Sequence, residues 1–165
     1  MIKTIVVGTD GSAHGQHAVE FAAALAKQLD AEVALVHVTN QFPAPLAMAG
    51  GYIPYMPQAA IDEVAAAIEK EVKDEFAEPL RTAGVSYTVR VIEGSAAGKI
   101  QDCAVEADAQ LIVVGTRGMN SLGEFFLGST SHALLHQAQL PVIVVPLSAA
   151  THSRLRTVEK VPIAV

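Results

Sequence analysis

Five short runs of β-branched and apolar residues, alternating with segments of helical spacing, constrain this chain more than any other feature. The runs are Ile2 to Gly8, Glu32 to Val38, Val85 to Ile92, Leu111 to Val114 and Pro141 to Val145. Four of them are too continuously apolar to have one wet face, the pattern of strands buried on both sides. Val85 to Ile92 alternates instead, which predicts a strand nearer an edge. Between them lie helical patterns: Ala18, Phe21, Ala22, Leu25, Ala26 and Leu29, then Ile61, Val64, Ala65, Ile68, Val72 and Phe76. Ile100, Cys103, Ala104 and Ala107 mark a shorter helix, and Thr130 to Gln137 another. The alternation predicts an α/β fold, a five-stranded parallel sheet with helices on both faces. Ligands of such sheets bind beyond the carboxyl ends of the strands, near the point where strand order reverses. Four loops therefore matter: Gly8 to Ser12, Val38 to Asn40, Glu93 to Ser95, and the chain from Gly115 onward.

Composition sets the class of partner. With 165 residues the chain has the length of one domain, and 51% hydrophobic against 17% charged residues excludes intrinsic disorder. No apolar run reaches the roughly 18 residues of a spanning helix, and the N-terminus lacks the pattern of a secretory signal. The single cysteine, Cys103, excludes an internal disulfide framework. A net charge of −6 gives no basic surface for nucleic acid. A cytoplasmic protein with neither nucleic-acid contact nor membrane insertion is the expectation.

Two segments depart from the alternation. Residues 39–58 carry Pro43, Pro45, Pro54, Pro57, Gly50 and Gly51 among Phe42, Met48, Tyr52, Tyr55 and Met56, which predicts a loop packed by its own apolar groups, with a lid or partner contact as the alternative. Residues 148–165 begin polar and end in Val158 to Val165, a frayed end or an added edge strand in which Pro162 permits only an edge position.

Chemistry concentrates after the first and fourth strands. Gly11 and Ser12 suit a tight turn and a helix cap, and Asp10 places a carboxylate at a strand end. Gly115 and Gly118 let backbone approach a ligand closely. Gly128, Ser129 and Thr130 then open a helix, whose free N–H groups and positive dipole end receive phosphate, with the hydroxyl of Ser131 adding a donor.

In these pieces the chain resembles the universal stress protein family over residues 1–147. The matching segments are Val7 to Ser12, Leu35 to Val38, Leu111 to Gly118, Gly128-Ser129 and Leu140 to Pro146. The spacing Gly-x2-Gly-x9-Gly-Ser, met in full by Gly115, Gly118, Gly128 and Ser129, marks the family's ATP-binding subgroup. The resemblance implies a Rossmann-like adenine-nucleotide-binding fold with strand order 3-2-1-4-5. It implies that Gly8, Thr9 and Asp10 lie against adenosine, that the main chain of Val38 reads the adenine edge, and that Gly115 meets the ribose. Gly118, Gly128, Ser129, Thr130 and Ser131 would surround the phosphates of ATP (or of AMP or ADP), bridged by Mg2+ or Mn2+, with Arg117 either steering them or exposed. It also implies a homodimer paired through residues 142–145, with higher oligomers and an unknown protein client left open.

No catalytic constellation accompanies the glycines. A Walker-type loop needs Gly-x4-Gly-Lys-Ser/Thr, and its lysine is absent. The expectation is a nucleotide-dependent stress sensor or regulator with at most slow hydrolysis and no catalytic residues. The alternatives are a nucleotide-independent interaction protein using residues 39–58 and the tail, and a slow ATPase or phosphotransferase. His132 and His136, four apart, lack an evident third ligand, so no metal site is assigned. His37 reads as a hydrogen-bonded structural histidine, with ligand contact or pH sensing as the alternative, Cys103 as a small core residue, His14 and His17 as solvated, and Pro79 as a helix end or kink.

Overall fold

A computed structural model describes residues 1–39, 57–118 and 127–147. Most of the loop at 39–58 and all of the tail at 148–165 fall outside them. The elements are β1 (Thr4–Thr9), α1 (Ala13–Leu29), β2 (Glu32–Thr39), α2 (Gln58–Glu71), a π-helical turn (Val72–Phe76), α3 (Glu78–Ala83), β3 (Tyr87–Glu93), α4 (Ala96–Glu106), β4 (Leu111–Gly115), α5 (Ser129–Gln137) and β5 (Val142–Val145). The five strands form one parallel sheet in the order β3-β2-β1-β4-β5, as expected.

That order fixes which helices cover which face. From β1 through β2 to β3 the chain steps one way across the sheet, and the later connections carry it back past β1 to β4 and β5. Right-handed crossovers in opposite directions place their helices on opposite faces. Two cores result. Ile5, Val7, Val33, Leu35, Leu111 and Val113 pack with α1, the π turn and α3. Their neighbours one residue on, Val6, Ala34, Val36, Ile112 and Val114, pack with α4 and α5. The alternation of successive side chains across a strand divides the sequence between the two.

Alanine has a specific use in α1. Ala18, Ala22 and Ala26 are completely buried at helical spacing, so the helix backbone lies close on the sheet. Gly15, in its first turn, continues this stripe to the site: a Cβ there would stand 2.6 Å from Thr9 Oγ1.

The second helical pattern does not form one continuous helix. None of α2 is fully buried; Ile61, Val64 and Ala65 are half-buried. Ala77 N donates to Val72 O across five residues, the mark of a π turn. Val72 and Phe76, the first and last residues of the turn, both lie in the first core. Pro79 then falls in the first turn of α3, where its missing N–H costs nothing. The exposed pairs Lys70–Asp74 and Lys73–Glu69, both 2.5 Å, support the outer face. Among the described residues no helix is long and apolar enough to cross a membrane.

Candidate functional site

The strand order reverses between β1 and β4, and both strands there run into helices. The two turns are built differently.

After β1, side chains satisfy the backbone. Thr9 Oγ1 accepts from Gly11 N at 3.2 Å, Asp10 Oδ1 accepts from Ser12 N at 3.0 Å, and Ser12 Oγ caps α1 by accepting from Gly15 N at 3.2 Å. Gly11 has φ +79°, and the Phe76 ring occupies the space a Cβ would need. Phe76 also meets His37 edge-on, with ring centroids 5.5 Å apart, while His37 Nδ1 lies 2.9 Å from Thr9 O. His37 thus carries the hydrogen bond expected of it, to the main chain of Thr9.

After β4, the backbone closes on itself. Thr116 N donates to Val145 O of β5 at 3.0 Å, and Gly128 N returns to donate to Thr116 O at 2.6 Å. Thr116 and Gly128 are therefore held together at one peptide. Gly128 caps α5 in extended conformation and offers no side-chain cap. The first intrahelical bond is His132 N to Gly128 O, 2.9 Å. The N–H groups of Ser129, Thr130 and Ser131 precede it, so they have no partner within the helix. Ser129 is exposed and Thr130 half-buried.

Asp10 joins the two turns. Its Oδ2 lies where a Cβ on Gly118 would be, while Oδ1 holds the β1 turn. Gly115 is equally confined, since a Cβ there would stand 2.5 Å from His14 O of α1. Asp10, Gly115, Gly118, Gly128, Ser129 and Thr130 therefore come together. Arg117 is half-buried beside them, its Cα 3.1 Å from the position of a Cβ on Gly128. Val38 stands at the rim, and strand geometry says which way it faces. Glu32 N donates to Lys3 O and Val33 N to Ser86 O, so even-numbered residues of β2 turn their main chain toward β1. The pairing of β1 with β2 ends at Thr9↔His37, and the main chain of Val38 faces that side just past it.

Two of the residues that the resemblance sets at the nucleotide are buried in the fold. Gly8 is buried in β1, and a Cβ there would lie 2.5 Å from Ile100 Cδ1, so its smallness serves packing beneath α4. Ser131 is 2% exposed and points inward, its Oγ 3.0 Å from Thr116 O and 2.9 Å from Gly128 O. Conversely, Gly15 and Phe76 shape the site without having been singled out for it. A glycine amid the alanines of α1 was the available signal for Gly15. Nothing in sequence distinguished Phe76 from any other core aromatic.

Among the described residues no three His, Cys, Asp or Glu side chains converge as a metal site. The exposed His132 and His136 rings sit 4.6 Å apart by centroid. His17 is less solvated than expected, half-buried with Nδ1 3.6 Å from Glu20. Cys103 is buried beneath Arg90, and burial pushes its thiol pKa up.

Residues 1–146 match the model of the universal stress protein family. The universal stress protein YxiE of Bacillus subtilis is 32% identical over 148 residues, covering 88% of this chain and 99% of that protein. The solved structure of universal stress protein UspA from Lactobacillus plantarum superposes with a TM-score of 0.68 at 22% identity, over 87% of this chain and 97% of its own. A universal stress protein crystallised in complex with cAMP superposes with a TM-score of 0.62 at 25% identity, over 89% and 98%.

Proposed function

We propose that this chain, which belongs to the universal stress protein family, binds an adenine nucleotide between β1 and β4 and regulates a partner through that occupancy. The observation that carries the reading is the start of α5. Gly128 caps the helix without a side chain, leaving N-terminal amides beside the Asp10–Gly118 contact. Helix N-termini of this kind receive phosphate through N–H groups and dipole, with no requirement for lysine. That resolves the apparent conflict between a net charge of −6 and an anionic ligand. The structural relative bound to cAMP supports adenine as the base.

In this reading Val38 meets the adenine edge through its main chain, Thr9 and Asp10 line the adenosine side, and Gly115 gives close approach at the ribose. Gly118, Gly128, Ser129 and Thr130 face the phosphates, with Arg117 beside them. ATP is the proposed nucleotide, on the full Gly-x2-Gly-x9-Gly-Ser spacing. Mg2+ or Mn2+ would neutralise its phosphates, held mainly by the nucleotide itself, since the described residues assemble no metal-ligand cluster of their own. Asp10 already holds the β1 turn through Oδ1, a positioning role and not that of a general base. Binding without appreciable turnover follows. A homodimer through the edge strand β5 is part of the same proposal: Val142 to Val144 are half-exposed along an edge with no described neighbour.

Mass analysis of nucleotide released from purified, denatured protein, together with calorimetric titration of ATP, tests the reading. ATP, ADP or AMP should be recovered, and Gly118→Ala should weaken ATP binding about tenfold or more by displacing Asp10. A folded protein that neither carries nor binds adenine nucleotide overturns it.

A further inference from the structure

The hydroxyl of Ser131 lies inside the fold, between two carbonyls that belong to different parts of the chain. Thr116 O, just past the end of β4, is 3.0 Å away, and Gly128 O, the capping residue of α5, is 2.9 Å away. Each carbonyl already has another donor, Gly128 N for the first and His132 N for the second. A hydroxyl has one proton, so Ser131 serves the two acceptors alternately. Bonding back to the carbonyl three residues earlier is ordinary for serine in a helix. The bond to Thr116 is not local, and it ties the first turn of α5 to the strand it came from. Thr116 is held in turn by β5 through Val145 O.

We infer that Ser131 is the positioning residue of the phosphate site: a latch that fixes the first turn of α5 against β4, so that the amides of Ser129 and Thr130 stand ready for an anion. The inference rests on the nucleotide reading above and gives Ser131 a different part in it, holding the helix rather than touching the ligand. Because neither carbonyl loses its last donor when the hydroxyl is removed, and alanine nearly preserves the volume, Ser131→Ala should fold. What it loosens is the alignment of α5.

The discriminating measurement compares two ligands. Adenosine tests the base and ribose side alone, whereas ATP adds the phosphates. With Ser131→Ala, ATP affinity should fall about fivefold, the equivalent of one ordinary hydrogen bond, while the protein stays folded and adenosine affinity is unchanged. Amide hydrogen exchange at Gly128 should speed up in the nucleotide-free variant. An equal loss for both ligands, or no loss for either, overturns the positioning role. Unchanged exchange at Gly128 overturns the latch while leaving the nucleotide reading intact. A wild-type protein that binds no ATP overturns that reading, and the latch's part in binding with it.

Discussion

Two strand-to-helix turns stand side by side at the same end of this sheet, and they treat their helices in opposite ways. The turn after β1 uses side chains on its backbone: Thr9, Asp10 and Ser12 accept from the N–H groups of Gly11, Ser12 and Gly15, and α1 begins capped. The turn after β4 satisfies only its closure. Gly128 returns to Thr116, Ser131 locks the joint, and α5 begins with amides no side chain of its cap can reach. Capping and ligand binding use the same N–H groups, so a helix start gains stability from one or function from the other. The first turn is built as a wall, and the second, in the function proposed here, as a receptor.

The contrast breaks most severely at the wall. Phe76→Ala removes the ring that fills the space over Gly11 and meets His37. A loss of about 3–5 kcal/mol in denaturant unfolding is expected. Gly11→Ala should cost about 2–4 kcal/mol, since it combines left-handed backbone strain with a collision against the same ring. If Gly11→Ala is stabilised by a simultaneous Phe76→Leu, the steric part of that cost is identified.

Exchanging the caps sharpens the comparison at smaller energies. Ser12→Ala should lower stability by about 1 kcal/mol, with ATP affinity changed less than about twofold. Gly128→Ser should do the reverse. Its hydroxyl would compete for the amides that phosphate needs, so calorimetry should show ATP binding about tenfold weaker, with stability altered by less than about 1 kcal/mol. Equal effects of the two substitutions on binding would erase the distinction between wall and receptor.

The smallest expected effect lies away from both turns. Cys103 is buried and its thiol pKa is raised, chiefly by burial. The folded protein therefore favours the neutral thiol more than the unfolded chain does. Its contribution to stability is fully present below the ordinary thiol pKa and declines as pH rises through the higher folded value. Cys103→Ala should flatten that alkaline decline, and a thiol reagent near neutral pH should label the native protein far more slowly than the unfolded one.

Much of this was legible in the chain. The parallel sheet, its edge strand β3 and the cap at Ser12 follow from apolar runs and turn chemistry, while the strand order that sets β1 beside β4, and Asp10 near Gly118, came from the family resemblance. Other features were not. The second helical pattern was continuous in sequence, yet its last five residues, Val72 to Phe76, wind as a π turn. Gly8 entered through the resemblance as a main-chain contact, and the packing of Ile100, 92 residues away, against its Cα was not legible. Ser131 looked like one more phosphate donor beside Ser129 and Thr130. Its direction around the helix depends on where β4 ends.

By itself, the sequence determined the alternation of strand and helix, the parallel sheet, and the loops where chemistry must sit. These rest on local periodicity, which neighbouring residues encode between them. The tertiary structure alone decided which hydroxyls point inward, which glycines serve packing, and which of two similar turns carries a side-chain cap. Those outcomes depend on contacts such as Phe76 over Gly11 and Ser131 on Thr116, made between residues brought together only when the sheet and its helices close.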